Sequence, residues 1–404
     1  MNINFHYHAI KSIAREAGLP EDDAELIAGC SQLIDDFNDY APFFVNNVPD
    51  YAKHLCAHFY GDYYLFYPVT TGFSSWFDMA SLAIEKNQKN IVVPFHFIPE
   101  SKHLNEEVLS RAEWRTKPAR MDAPSLIQAK MTELLNNTQL PYDDKLVCFG
   151  SLLHTFADTY AHHMFSGFHG WENYCYLNGV FDVKDATSQK DYSNTPENQA
   201  AQQLYAIGHT NANHVPDDTS QRFTFKMKRT ENGDYDLLYG RSNPIEFSKC
   251  ARVIYDIMHT FMEKNNIRSE ILIFTKNGWE EFVKKLCKAM YEQDKSKLNA
   301  HWEQVFSWED YKYHYSRDNV FGAAAVKANP QDDPKLQPLL AKVQEHLAVP
   351  NLGLVYSMSN HYYRFNVQAE NLRSFVNGVN VAEEELKEIR DFVNQIKKEL
   401  NYED

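Results

Sequence analysis

Proline and glycine are scarce, 16 and 15 in 404 residues, which argues against an architecture of short strands joined by tight turns. Cysteine is scarce as well. Cys30, Cys56, Cys148, Cys175, Cys250 and Cys287 nowhere fall at the Cys-x-x-Cys spacing of a thiolate zinc site or redox pair. At this size a disulfide framework is not expected, and a buried thiol is the ordinary reading where Cys30 and Cys148 sit in helical patterns. No apolar run reaches the ~18 residues of a membrane span, so no transmembrane helix is predicted. The opening "MNINFHYHAIKSIAREAG" has no basic region leading into an apolar one, so the chain reads as cytoplasmic, or as exported without an N-terminal signal peptide. Positive charge is also short: 40 Lys and Arg against 55 Asp and Glu leave a net charge of −15. That excludes a broad electrostatic grip on duplex nucleic acid or anionic lipid. A phosphate-bearing partner would need a local cation.

What is present is apolar, aromatic and helix-patterned, with 26 Phe and 24 Tyr. The patterns predict helices over residues 3–17, from Pro20 to Phe37, and over 123–137, 145–165, 245–264, 278–292 and 381–400. Glu21, Asp22 and Asp23 complement the dipole at the start of the second. Residues 38–71 are aromatic, a strand pair or an irregular lid. "NIVVPFHFIP", bounded by prolines, reads as an extended segment delivering His96 inward. Residues 183–200 read as a polar surface loop, and 222–241 as a hairpin around Asn-Gly.

The stretch "SLLHTFADTYAHHMFSGFHG" concentrates the chemistry. His154, Asp158 and His162 stand at helical i, i+4 and i+8, on the stripe that also carries Val147, Ala161 and Phe165. Burying two imidazoles and a carboxylate without a counterion is costly, so the stripe points to a metal. Imidazole and carboxylate are the ligand set of zinc and similar cations. Asp158, flanked one turn away by histidines, is placed to bridge two ions. His163 points elsewhere, and His103, His259, His301, His314, His346 and His361 read as hydrogen-bonded core histidines. Asp35 and Asp36 end a helix, where the dipole disfavours acids and a partner charge is expected.

These residues carry a resemblance. The motifs "FHYHAI", "SQLIDDF", "VPFHFIP", "LHTFADTYAHHMFSG" and "IGHTNANHVPDD", in that order over residues 5 to about 220, resemble the zinc-dependent phospholipase C and single-strand nuclease superfamily, closest to an uncharacterised bacterial branch. The resemblance implies a mostly α, multi-helix bundle with a small hairpin or irregular insertions. Residues 1–220 would form the metal-site core, and 221–404 would complete the same domain. It implies two or three Zn2+ ions. Asp158 would bridge two of them. His154, with Asp35 or Asp36 and His96, would complete one shell, and His162, His209 and Asp217 the other. His6 would help hold a third ion, which that superfamily also anchors through the amino group of a processed N-terminal tryptophan; here His8 stands as the substitute. His214 or Asp218 compete with the last pair, and His54 with His96.

The expected function is zinc-dependent hydrolysis of a phosphoester, phospholipase C-like, by metal-activated water, with Asp35 or Asp36 as general base. The expected partner is a phosphoester, a phospholipid included, and not duplex nucleic acid. One alternative is a single-strand nuclease-like phosphodiesterase. Another is a catalytically inactive, metal-stabilised interaction protein or secreted bacterial effector, since the glutamates of "VAEEELKEIRDFVNQIKKELNYED" resemble a secretion signal. A charged amphipathic helix with i, i+4 pairs is the plainer account of that segment. An HD-type phosphohydrolase is disfavoured for want of a His-Asp dipeptide, and a di-iron oxidase for want of paired Glu-x-x-His motifs.

Overall fold

The computed structural model of the chain describes residues 1–73, 81–108, 110–182, 185–190, 206–268, 276–307, 312–328, 334–348, 352 and 354–402. At its centre lies a helix, α4 (Tyr142–Ala161), in which every residue from Leu146 to Ala161 is buried. Against it pack α2 (Glu21–Asp36), α3 (Leu126–Asn136), α5 (Asn243–Lys264) and, beyond α6 (Lys276–Ala289) and α7 (Leu298–Phe306), α9 (Asn360–Asn377), while α1 (Ile10–Ala17) lies on α2 and α5. The closest approach is between α2 and α4. A Cβ on Gly150 would come within 2.3 Å of the Ile27 carbonyl oxygen, so glycine lets the two backbones touch. The largest apolar interior runs from Met1 to Ala382 and draws on both halves of the chain.

The expected mostly α, multi-helix bundle is corrected here: among the described residues the fold is mixed α/β, with a five-stranded and a four-stranded sheet. The aromatic region supplies three strands of the first, β1 (Phe43–Asn46), β2 (Cys56–Tyr60) and β3 (Tyr63–Phe66). Gly61, at φ +53°, makes the tight turn between β2 and β3. The order is β2-β3-β1-β9-β8, with β8 at Ala325–Ala328 and β9 at Val355–Ser357, and β9 runs parallel to β1. Side chains alternate between two interiors, as pleating requires. Phe43, Val45 and Phe66 face the main core, where Phe43 and Phe66 meet Tyr362 of α9. Phe44, Phe59 and Leu65 face a second cluster built with α8 (Gln337–Leu347) and α10 (Val381–Glu399) through Leu339, Val343, Ile389 and Val393.

The second sheet, ordered β5-β4-β6-β7, comprises β4 (Cys175–Asp182), β5 (Asp185–Lys190), β6 (Gln221–Met227) and β7 (Leu237–Ser242). β6 and β7 form the hairpin, but Asn232 and Gly233 lie inside a longer connection closed by a Gly233-to-Thr230 bond. Residues 185–190, expected as loop, pair with β4; 183–184 and 191–200 lie outside the described residues. The segment around His96, expected as extended, is helical. A wide π-type turn (Gln88–Val92) runs into Val93–Phe95, with Pro94 within the first two positions, where its missing N–H costs nothing. Among the described residues no helix is long and apolar enough to cross a membrane, and all six cysteines are free thiols.

Candidate metal centre

Three buried or half-buried groups of donors converge at the C-terminal end of α4. They are His6, Asp35 and His154; His96, His154 and Asp158; and His162, His209 and Asp217. Each element arrives for a local reason. α4 presents His154 and Asp158 one turn apart, then stops at His162, whose φ of −94° and ψ of 14° leave the helix. α2 ends at Asp36 and brings Asp35 alongside. Residues 70–72 strap across that helix end: the Thr71 and Gly72 amides donate to the Phe37 carbonyl, and the Thr71 hydroxyl donates to that of Ile34. A Cβ on Gly72 would stand 2.0 Å from the Asp35 carbonyl oxygen, so only glycine fits the crossing.

Backbone carbonyls fix the imidazoles. A carbonyl only accepts, so the ring nitrogen facing it carries the hydrogen. His154 Nδ1–H donates to Ser31 O at 2.8 Å, His96 Nε2–H to Thr71 O at 2.8 Å, His162 Nδ1–H to His96 O at 2.5 Å, and His209 Nδ1–H to Asn213 O at 2.8 Å. In the neutral rings the opposite nitrogens are lone pairs, and they face each other and the carboxylates. His154 Nε2 and His96 Nδ1 are 3.2 Å apart, and lie 3.1 and 3.2 Å from Asp158 Oδ2. Asp35 Oδ1 is 3.7 Å from His154 and 3.8 Å from His96. On the other side, Asp217 Oδ1 is 3.0 Å from His162 Nε2, and Oδ2 is 3.1 Å from His209 Nε2.

Acceptors do not gather around acceptors without a cation or a proton between them. Pairs 3.0–3.2 Å apart are close to the roughly 3.3 Å edge of a tetrahedron with zinc-to-nitrogen arms of about 2.0–2.1 Å. The donor set and its outer hydrogen bonds therefore fit a divalent cation. Asp158 divides its two oxygens. Oδ2 serves His96 and His154, and Oδ1 lies 3.0 Å from His6 Nε2 and bonds the Met1 amino group, which is 3.4 Å from Asp217. His6 stacks on His154 at 3.8 Å between centroids, and its Nδ1 is buried with no partner among the described residues.

The charges compete for protons accordingly. Burial pushes Asp158 and Asp217 up, yet imidazoles and the Met1 ammonium outweigh it and hold both well below the usual carboxylate range. Burial lifts Asp35 to about 6 against the pull of His154 and His96. Desolvation drives His162 down to about 4. Against the same burial, Asp158 and Asp35 raise His96, and Asp217 raises His209. The Met1 ammonium, which burial opposes and Asp158, Asp217 and Asp35 favour, stands at about 10.

Of the residues singled out from sequence, the structure brings together His6, Asp35, His96, His154, Asp158, His162, His209 and Asp217. His8 is elsewhere. Two positions from His6 on the π-type turn Asn4–Ala9, it points away from that ring, with Nδ1 to Ile3 O at 3.2 Å and Nε2 to Asn299 at 2.8 Å, stacked between Trp302 and Tyr313. Asp36 is exposed and accepts from Gln32. Asp218 caps Ser220 and Gln221, His214 is exposed, and His54 lies on an exposed turn under Arg390. Two features carried no sequence signal: the Thr71 carbonyl and an Arg241–Asn243 pair behind Asp217. The centre opens onto a cleft of about 920 Å³ bordered by Asp35, Asp36, His96, Asp217 and Lys295.

The family model DUF6765, a family of unknown function, matches residues 1–379, and the chain belongs to that family. No curated protein and no solved structure matches the chain.

Proposed function

We propose that the protein is a zinc-dependent phosphoester hydrolase with phospholipase C-like chemistry. The observation that supports this is the Asp158 carboxylate, with lone pairs from separately anchored imidazoles turned toward it and toward Asp217. His96, His154, Asp158 and Asp35 would hold one ion and His162, His209 and Asp217 another, with His6 facing the shared carboxylate. Bound divalent cations would supply a water acidified to neutral pH and neutralise charge building on phosphorus. With Asp35 committed to an ion, Asp36, exposed beside it on the cleft, would be the carboxylate free to take and return a proton. Thr71 O, Ser31 O and His96 O hold the rings in one tautomer while this happens. Lys295 is the sole lysine or arginine along the described cleft, which favours a small phosphoester over a nucleic-acid strand, whose every residue brings a charge.

The test is metal analysis of the purified protein and of Asp158→Asn, with hydrolysis of bis(p-nitrophenyl) phosphate and p-nitrophenyl phosphocholine. The native protein should hold two or three zinc ions and turn over at least one ester in a chelator-sensitive way. Asp158→Asn should lose metal and at least ~100-fold in rate. Full metal in the variant would overturn the bridging role. Metal without hydrolysis would favour an inactive, metal-stabilised interaction protein.

A further inference from the structure

The hairpin and the start of α5 reach the metal centre from behind. Arg241, on β7, pairs across the sheet with Phe223, and its guanidinium lies over that ring at 5.1 Å. It has no carboxylate partner among its described hydrogen bonds. Its Nη1 donates to the carbonyls of Tyr160 at 3.1 Å and Ala161 at 2.6 Å, the last turn of α4; its Nη2 donates to Pro216 O at 2.6 Å. Its Nε donates to Asn243 Oδ1 at 2.7 Å. Asn243, fully buried, spends its amide on Val215 O at 2.8 Å and Asp218 O at 2.6 Å.

The carbonyls of residues 215, 216 and 218 are thus all held by these two side chains, leaving Asp217 as the projecting member of a pinned loop. The same guanidinium grips the end of the helix that carries Asp158 and His162. A rigid planar fork can span two chain segments in this way, and an ammonium cannot. The helix C-terminus, with its unsatisfied carbonyls and negative dipole end, stabilises the half-buried guanidinium.

We propose that Arg241 and Asn243 are positioning residues that set Asp217 against His162 and His209, so that ion binding by this group depends on the second sheet and on α5. This rests on the metal-centre reading given above. The clamp touches neither ion nor substrate. It acts through the distance between the α4 end and the 215–218 loop; Asp35, His96 and His154 make no contact with it, and Asp158, which belongs to their group, sits within α4 ahead of the gripped Tyr160 and Ala161 carbonyls, where the helix itself holds it. Loss of an outer hydrogen-bonding partner typically weakens metal binding about 10–100-fold.

The experiment is zinc titration against a chromophoric chelator for the native protein, Arg241→Met, Arg241→Lys, Asn243→Ala and His209→Ala, with circular dichroism on each. His209→Ala identifies the class of zinc held by the Asp217 group. Arg241→Met and Asn243→Ala should weaken that class ~10–100-fold, leave the other class and the dichroism unchanged, and gain nothing from Arg241→Lys. Native affinity for both classes in Arg241→Met and Asn243→Ala overturns the proposal while leaving the metal centre standing. Full recovery in Arg241→Lys overturns the fork geometry in favour of charge alone. Should Arg241→Met unfold, Asn243→Ala decides by the same criterion. A native protein without zinc overturns this inference together with the reading beneath it.

Discussion

His6 and His8 stand two positions apart and have opposite fates, which shows what decides a ligand at the scale of one residue. His8 has both nitrogens committed and two aromatic faces against it. His8→Gln should therefore retain every zinc ion and lose only ~1–2 kcal/mol of stability, measured by urea unfolding beside metal analysis. Gly72→Ala should do the reverse. Its Cβ meets backbone, which cannot yield as a side chain would, so a loss of ~1–3 kcal/mol is expected. The displaced Thr71 carbonyl should also weaken zinc at His96, read by chelator competition. The donors themselves were legible because His154, Asp158 and His162 share one helical stripe, and His6, Asp35, His96, His209 and Asp217 lie in short motifs of the same residue types. Thr71, Ser31 and Asn213 were not legible, since they contribute carbonyls, which every residue has. Arg241 was hidden for a related reason: its partners are carbonyls too.

Elements follow the same division. α4 could be read because its apolar period extends over many turns, and α10 because Leu386, Ile389, Val393 and Ile396 repeat at three and four. Of the first sheet only a strand pair within residues 38–71 could be read, beside the alternative of an irregular lid, because β1, β3 and β8 have four residues and β9 three, too few for alternation to stand out. The His96 segment was misread through its prolines, one of which sits where a helix start accepts it. The α2–α4 crossing gives a prediction at this scale. Gly150→Ala would push against the Ile27 carbonyl and the Cys30 Cβ, at 2.3 and 2.8 Å. Since α2 carries Asp35 and α4 carries His154 and Asp158, the variant should lower the free energy of unfolding by ~1–3 kcal/mol and weaken zinc binding together. A stability loss with unchanged zinc affinity would separate the crossing from the centre.

For the molecule as a whole, an ion held as proposed by the buried donors would tie stability to its binding. Zinc at a hundred times its dissociation constant should add about 2.7 kcal/mol to unfolding, so chelation should lower the thermal midpoint and readdition restore it. Acid should act like chelator. The imidazoles must be unprotonated to bind; His96 and His209 are held above the ordinary histidine range and His162 down at about 4, so affinity should begin to fall above pH 6.5, as His96 and His209 take protons first, and go on falling toward the acid range of His162. Calorimetry with and without chelator at two pH values checks both. Another consequence concerns synthesis. β1 pairs with its neighbour β3 early, but its other edge is completed by Val355 and Tyr356. At about 5–20 residues per second, that edge waits roughly 15–60 s for its partner on the ribosome. Throughout that interval a row of bare amides and carbonyls, fringed by phenylalanine and tyrosine, is open to whatever strand comes first, and crowded expression should favour inclusion bodies over slow, cool production.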